Sequence, residues 1–274
     1  MLKQTHLQDT FNRNCPKHLK NYRDKHYIYA GPKCDLTGGE AMMAVLTNSG
    51  ALTFVDEQTE EICLAAVRKD TNALQYVKKQ TEEICLEAIK QNSNAFKYVI
   101  IQTLDNCLAA VKQDGLLLCL VHQQTEEICL AAVEQNGNAV QYVRNQSLRI
   151  CMVAVTQSPT ALKYIHIHFD KVCLVAVKIN GQMLQYVKQQ SEEICMAAIT
   201  QSPTSIKYVK NQTNNICALA LHYNENTICY VNNSLFKKIT SEEVVNRSDT
   251  SIEIDGKSFS MDTIKAALKQ YTNF

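Results

Sequence analysis

Residues 125–146 read TEEICLAAVEQNGNAVQYVRNQ, and close copies of this stretch fill most of the chain. A cysteine recurs every 22 residues, at Cys63, Cys85, Cys107, Cys129, Cys151, Cys173, Cys195 and Cys217. An alanine follows three residues after each cysteine, and a tyrosine recurs with the same period except at Leu120. A fixed period of this length is typical of repeat proteins. The stretch therefore predicts an array of similar structural modules.

We number the repeats along the chain and count positions from the first residue of each, so that Thr125 is position 1 of repeat 5. Repeats 2 to 9 are 59–80, 81–102, 103–124, 125–146, 147–168, 169–190, 191–212 and 213–234. A degenerate copy at 37–58, with Ala41 at the cysteine position, is repeat 1. The array thus covers 37–234 in about nine repeats.

The first half of each repeat has the pattern of an amphipathic helix. In repeat 5, Thr125 is suited to cap the helix, and two glutamates follow at the positive end of its dipole. The apolar residues at positions 4, 5, 8 and 9 form one stripe at helical spacing. We expect this helix to end near Asn136 and Gly137, where glycine would adopt the left-handed conformation that ends helices.

A second helix is expected in the other half of the repeat. Repeats 6 and 8 have Ser158-Pro159 and Ser202-Pro203 at its start, the order of a capping residue and a first-turn proline. Helices of about 10 and 8 residues are too short to be stable alone, so they must stack on their neighbours. The sequence therefore predicts an all-α fold, a right-handed α-solenoid with capping segments at both ends.

The two end segments do not follow the 22-residue period. We interpret residues 1–36 as an N-terminal cap or, alternatively, as a basic recognition arm. Residues 235–274 are expected to form a C-terminal cap with a small β-hairpin around Asp255-Gly256 and a last helix from Met261 to about Tyr271.

The composition argues against a general attraction to polyanions. Lys and Arg number 28 against 27 Asp and Glu, for a formal net charge of +1. The chain starts with polar residues where a signal peptide needs an apolar core, and it has no run of about 18 apolar residues. We expect a soluble, cytoplasmic protein without a membrane partner.

The cysteine ladder permits three interpretations. Disulfides between adjacent repeats are disfavoured because stacked helices lie roughly 8 to 10 Å apart, whereas a disulfide needs Cα atoms within about 7 Å. A metal site needs thiolates that converge on one ion, and evenly spaced residues do not converge. We therefore interpret the ladder as buried structural thiols.

His166 and His168 form a pair near Asp170 and Cys173 that could in principle hold zinc. Most other repeats have Lys, Arg, Asn or Gln at these two positions, which favours solvent-facing side chains without a metal. The signatures of phosphate-binding loops, dinucleotide-binding loops, zinc proteases and serine hydrolases are missing from the sequence. We expect no enzyme activity and no cofactor.

The charged residues fall into two groups according to their position in the repeat. An acidic edge is expected at the starts of the first helices, at Glu60, Glu61, Glu82, Glu83, Glu126, Glu127, Glu192 and Glu193. A basic stripe is expected along the second helices, at Lys78, Lys97, Arg144, Lys163, Lys188, Lys207 and Lys210. Both are interpreted first as solvated faces, and the stripe alternatively as a groove for an acidic peptide or RNA.

Repeats 3 and 4 have apolar residues where most other repeats are polar. Ile100 and Ile101 replace a pair that is usually polar or basic, and Leu116 and Cys119 do the same one repeat later. We expect these four residues to form one exposed patch. Such a patch indicates a partner site, a local repacking or self-association.

The repeat pattern resembles short helical repeats of unknown function found in proteins of giant DNA viruses and in some effectors of intracellular bacteria. The resemblance covers roughly 37–234 and is carried in repeat 5 by Cys129-Leu130, Ala132-Val133, Gln135-Asn136-Gly137, Ala139 and Tyr142-Val143. It implies a viral or effector-like protein in the host cytoplasm and supplies no catalytic residues.

These observations predict a non-enzymatic scaffold that binds a protein partner. The alternative is an RNA-binding repeat protein that uses the basic stripe. The identity of the partner and the oligomeric state have no signal in the sequence.

Overall fold

The computed structural model describes residues 38–167, 169–232, 251–254 and 257–260. Residues 38–167 and 169–232 have the fold of an α-solenoid, in which each repeat contributes an α-helix of 10 residues followed by a 3₁₀ helix of 6 residues. The hand of the superhelix stays a prediction. The chain divides into two compact units, whose described residues are 38–113 with 120–122, and 114–119 with those from 123 onward.

The first unit contains four α-helices: α1 (Gly38–Thr47), α2 (Glu60–Lys69), α3 (Glu82–Gln91) and α4 (Leu104–Gln113). Its 3₁₀ helices are Ser49–Phe54, Thr71–Tyr76 and Ser93–Tyr98. The core of this unit is built from the apolar residues of positions 4, 5, 8 and 9 and from those of the 3₁₀ helices, with Phe96 among its largest buried side chains.

The second unit contains α5 (Glu126–Gln135), α6 (Leu148–Gln157), α7 (Asp170–Ile179), α8 (Glu192–Gln201) and α9 (Asn214–Tyr223). Its 3₁₀ helices are Gly115–Leu120, of which Leu120 is assigned to the first unit, Gly137–Tyr142, Pro159–Tyr164, Gly181–Tyr186, Pro203–Tyr208 and Glu225–Tyr230. The same positions of the repeat supply its core.

The start of the α-helix confirms the expectation from the sequence. The Thr125 hydroxyl oxygen accepts a hydrogen bond from the Ile128 N–H at 3.3 Å, and the two glutamates lie in the first turn. Positions 4, 5, 8 and 9 are buried throughout the described repeats 2, 3 and 5 to 9. Their common burial is the reason that short helices stay folded in this array.

The second helix is shorter and tighter than expected. It is a 3₁₀ helix of six residues, and its last turn is closed by a bond of 3.1 Å from the Val143 N–H to the Val140 carbonyl oxygen. Val143 is extended, at φ −72° and ψ 119°, and is buried. Because this valine enters the core as extended backbone, the helix ends before it.

The starts of the 3₁₀ helices use two different devices. In repeat 5, the Asn136 side chain accepts a hydrogen bond from the Asn138 N–H at 3.0 Å. In repeat 6, Pro159 occupies the first turn as expected, but the Ser158 side chain makes no capping bond. Its hydroxyl lies 2.8 Å from that of Thr160 instead.

The expected role of Gly137 is wrong. Among the described glycines only Gly38 has a positive φ, so Gly137 does not end its helix in a left-handed conformation. An added Cβ on Gly137 would overlap the carbonyl oxygen of Ala154 in the next repeat. Gly115 and Gly181 are in the same situation. Glycine is required here because two backbones approach closely.

At the C-terminal end the expected hairpin is confirmed. Strands β1 (Ser251–Ile254) and β2 (Lys257–Ser260) pair antiparallel, with Ile252 opposite Phe259. The expected N-terminal cap at 1–36 and the last helix from Met261 lie outside the described residues. Among the helices that the structure describes, none has the length and apolar character needed to cross a bilayer.

Candidate interaction surfaces

A column of glutamines at position 22 joins neighbouring repeats and was missed in the sequence. Its described members are Gln58, Gln80, Gln102, Gln124, Gln146, Gln190 and Gln212. The residue at this position in repeat 6, His168, lies outside the described part of the chain. The strict period of these glutamines was a signal, but it was not recognised because polar residues in loops usually face water.

Gln146 shows how the column works. Its amide nitrogen donates to the Val140 carbonyl oxygen of its own repeat at 3.1 Å and to that of Tyr164 in the next repeat at 3.0 Å. Its side-chain oxygen accepts the His166 N–H at 2.9 Å. The side chain is 5% exposed, so these bonds are made away from water. One side chain therefore satisfies three backbone groups, two of which belong to the following repeat.

The same bonds recur in both units. In the first unit, Gln80 donates to the Leu74 and Tyr98 carbonyls at 3.1 and 2.8 Å and accepts the Ile100 N–H at 2.9 Å. In the second unit, Gln190 donates to Leu184 and Tyr208 at 3.3 and 2.9 Å. The backbone around position 20 is thus held in the same way whatever side chain it carries.

The eight cysteines of the ladder are buried thiols, in agreement with the interpretation of the ladder as structural. Several of them donate weakly to the glutamine column, as Cys85 does to the Gln80 oxygen at 3.7 Å. Burial raises the pKa of Cys85, Cys151, Cys173 and Cys217 to about 11. These groups are therefore protonated and weakly nucleophilic at neutral pH.

The histidine pair is described only in part. His166 is exposed, and its backbone N–H bonds to Gln146. His168 lies outside the described residues. Within the part of the chain that the structure describes, no group of three or more His, Cys, Asp or Glu side chains is arranged to hold a metal ion.

The predicted basic stripe consists of two columns with different surroundings. Lys78, Arg144, Lys188 and Lys210 occupy position 20, and Lys97, Lys163 and Lys207 occupy position 17. All seven are exposed.

Two lysines of position 20 bind the backbone of the preceding repeat. The Lys78 ammonium donates to the Val55 and Asp56 carbonyl oxygens at 3.0 and 3.2 Å. Lys210 donates to the Lys188 carbonyl oxygen at 2.6 Å. These charges contribute to the joints between repeats as well as to the surface.

The lysines of position 17 lie over the tyrosines of position 18. The distances from nitrogen to ring centroid are 4.8 Å for Lys97 over Tyr98, 4.5 Å for Lys163 over Tyr164 and 4.9 Å for Lys207 over Tyr208. These distances permit a cation–π interaction. Repeats that have glutamine at position 17 leave the tyrosine more exposed, as at Tyr76, Tyr142 and Tyr186.

The residues of the predicted acidic edge are all exposed. They lie in the first turns of α2, α3, α5 and α8, where the helix dipole favours negative charge. In the first unit, Glu60 and Glu82 accept hydrogen bonds from the hydroxyls of Thr81 and Thr103 at 2.8 and 2.7 Å. The acidic edge is thus partly used for contacts between repeats.

The predicted apolar patch is divided between the two units. Ile100 and Ile101 belong to the first unit and are 69% and 73% exposed. Leu116 and Cys119 belong to the second and are also exposed. That the four form one surface stays a prediction. The structure adds Leu104 and Leu120 to the exposed apolar residues of the first unit.

Repeat 4 departs from the others in its core as well. Asn106 occupies position 4 of repeat 4. Repeats 2, 3 and 5 to 9 have Ile or Val at this position. Asn106 is 1% exposed, and its side-chain oxygen has no hydrogen-bond partner. A buried oxygen without a partner costs roughly 1–3 kcal/mol.

Position 20 carries side chains of several chemical classes. It is exposed in every described repeat, next to a buried or half-buried Val or Ile at position 19. Its residues are Asp56, Lys78, Ile100, His122, Arg144, His166, Lys188, Lys210 and Asn232. A fixed backbone thus presents acidic, basic, apolar and imidazole side chains in different repeats.

The chain is similar to one known family over a short stretch. A family described as a domain of unknown function (DUF4116) matches residues 59–100, which are repeat 2 and almost all of repeat 3. No curated protein and no solved structure matches the chain. The match supports the repeated helical architecture, and a viral or effector origin stays a prediction.

Proposed function

We propose that the protein is a non-enzymatic repeat scaffold that binds another protein through the exposed residues of a constant framework. The observation that carries this proposal is the contrast between positions 19 and 20. Position 19 is Val or Ile in all nine repeats, whereas the neighbouring exposed position changes in charge and size. Solenoids commonly bind partners through such surfaces, because the stack holds variable side chains in a fixed arrangement.

The backbone hydrogen bonds support the same proposal. The N–H groups of Lys78, Ile100 and Arg144 all bond to a glutamine of the preceding repeat, at 2.8 to 3.0 Å. A surface that is already held in place loses little conformational entropy when a partner binds, and this favours affinity. The raised thiol pKa values of the cysteine ladder, in turn, argue against its use as a set of nucleophiles.

The proposal is tested by capture of a partner on the immobilised full chain, followed by reconstitution with the purified partner. A variant with Lys78, Ile100, Arg144 and Lys188 replaced by alanine should keep its helical circular dichroism and lose the partner. A matched variant with Lys69, Lys90, Lys112 and Lys178 replaced by alanine, all exposed near the ends of α-helices, should keep it. A partner bound equally by both variants would contradict the proposal.

RNA binding is the second candidate function, and the lysine–tyrosine pairs are the observation that favours it. Three repeats place a cation over an aromatic ring at the same position. Basic and aromatic side chains together are typical of surfaces that bind single-stranded nucleic acid.

Fluorescence anisotropy with single-stranded oligo-uridine at increasing salt tests this candidate. If RNA is the ligand, affinity should fall steeply with salt, and alanine at Lys97, Lys163 and Lys207 should make the dependence shallower. Affinity that does not depend on salt, or no binding at low salt, would exclude this candidate.

A further inference from the structure

Three neighbouring loops of the first unit carry an ordered set of side chains at positions 20 and 21. They are Asp56-Glu57, Lys78-Lys79 and Ile100-Ile101, and all six residues are exposed. Gln58 joins the first loop to the second by accepting the Lys78 N–H at 2.8 Å. Gln80 joins the second to the third by accepting the Ile100 N–H at 2.9 Å. An acidic, a basic and an apolar loop therefore follow one another in space.

The apolar loop continues into the next helix. Leu104, in the first turn of α4, is 46% exposed, in addition to Ile100 at 69% and Ile101 at 73%. The corresponding residues 22 positions earlier are Lys78, Lys79 and Glu82. Three exposed apolar side chains within five residues are unfavourable in water and are typical of a contact surface.

The two lysines beside this patch are not equivalent. The Lys78 ammonium is bound to two carbonyl oxygens and lies 3.8 Å from an Asp56 carboxylate oxygen. Lys79 forms no ion pair with any residue that the structure describes. Lys79 is therefore the charge beside the patch that is available to a partner.

The negative charges of the carboxylates near the patch are stabilised by neighbouring groups, whereas the positive charge of Lys79 is not. Glu83 and Asp105 lie in the first turns of α3 and α4, where the helix dipole stabilises negative charge. Glu82 accepts the Thr103 hydroxyl at 2.7 Å. Charge complementarity thus favours an acidic group over a basic one as the partner of this surface.

We propose that the apolar patch of Ile100, Ile101 and Leu104, together with Lys79, binds a short segment of a partner protein that supplies an apolar anchor and a carboxylate. This inference rests on the proposed scaffold function and names the chemistry of one partner segment. Adjacent loops of stacked helices are about 8 to 10 Å apart. A polyproline II segment rises about 3.1 Å per residue, so its anchor and carboxylate would lie about three residues apart.

Three synthetic peptides serve as probes, each with two leucines and, three residues away, a glutamate, a lysine or a serine. Fluorescence polarisation with the full chain should show the glutamate peptide bound about tenfold more tightly than the lysine peptide. The variant Lys79→Glu should reverse this order, whereas the control Lys90→Glu, at another exposed lysine of the same unit, should not.

The double variant Ile100→Asp with Ile101→Asp should lose all three peptides while it keeps the unfolding midpoint of the wild type, because both side chains are largely exposed. Equal binding of the glutamate and lysine peptides, or an unchanged preference in Lys79→Glu, would overturn the inference. If no peptide binds but a captured partner still depends on the other exposed residues of position 20, the inference fails and the scaffold function stands. If no partner is captured either, both fail.

Discussion

The amide nitrogen of Gly137 lies 2.6 Å from the side-chain oxygen of Gln157, one repeat further along the chain. Gly181 and Gln201 have the same relationship, at 2.6 Å. Repeats 6 and 8 have proline at the glycine position and therefore no N–H to donate. The repeats that follow them have Ile179 and Tyr223 where the glutamine would be. Position 11 is thus glutamine after the repeats that have glycine and another residue after the two repeats that have proline.

The change Gly137→Ala should lower the free energy of unfolding by about 1–3 kcal/mol, because the added methyl group overlaps the Ala154 carbonyl. Urea denaturation followed by circular dichroism measures the effect. The control is Gly39→Ala in α1, where an added Cβ meets no atom within 4 Å. Alanine there should leave stability unchanged or raise it. Similar losses in both variants would show that close approach is not the cause.

Alanine in place of Gln146 should destabilise the protein by roughly 1–3 kcal/mol for each backbone group left without a partner. The Val140 and Tyr164 carbonyls and the His166 N–H are the groups affected. Gln141→Ala removes a glutamine whose side chain donates to the Asn138 carbonyl of its own repeat at 3.1 Å, and should cost much less. Thermal and urea unfolding of the two variants decide the matter, and an equal cost would show that the column does not join the repeats.

The change Asn106→Ile should raise the free energy of unfolding by roughly 1–3 kcal/mol, because it removes a buried oxygen that has no partner. The reciprocal change, Ile128→Asn at the same position of repeat 5, should lower it, since Ile128 is buried. Denaturant midpoints of the two variants provide the measurement. A loss of stability in Asn106→Ile would mean that the asparagine makes a contribution that its hydrogen bonds do not reveal.

The buried thiols should make the protein sensitive to high pH. Burial raises the pKa of Cys151 from an ordinary value of 9.0 to about 11. A group whose pKa is higher in the folded state stabilises the fold below the unfolded pKa, and this contribution is lost as the pH rises from about 9 to about 11. Stability should therefore fall across this interval.

Urea midpoints at a series of pH values test this dependence. Cys151→Ala should reduce the pH dependence relative to the wild type. Native-state alkylation should label Cys119 well before Cys151 for the same reason. Identical pH profiles for Cys151→Ala and the wild type would contradict the assignment.

The fold could be predicted from the cysteines, alanines and tyrosines that recur every 22 residues and from the residues around them. Each of these positions reflects a local structural requirement. The residues of positions 5, 8 and 9 share a stripe on one helix, and Thr125 and its equivalents mark where that helix begins. The period alone implies stacking. The 3₁₀ helix was not predicted. Its length depends on the extended valine at position 19 and on a capping residue, and neither belongs to an apolar pattern with helical spacing.

The joints between repeats were missed because their partners are backbone atoms. Gln146 and Gly137 both act on carbonyl or amide groups one repeat away, and backbone groups have no sequence signal of their own. Gly137 was assigned a local role that glycine often has in turns. The candidate surface was found only in part, since the sequence revealed Ile100 and Ile101 but not the difference between Lys78 and Lys79, which depends on contacts with the preceding loop.

Because of the glutamine column, the structure of each repeat does not depend on how many repeats the array contains. Each glutamine recognises the same two backbone groups, whichever copy follows. If residues 191–212 were deleted, Gln190 would meet the Tyr230 carbonyl and the Asn232 N–H, the groups that Gln212 now binds at 2.8 and 2.7 Å. Duplication or loss of 22 residues can therefore lengthen or shorten such a protein over evolutionary time while these glutamine bonds are kept.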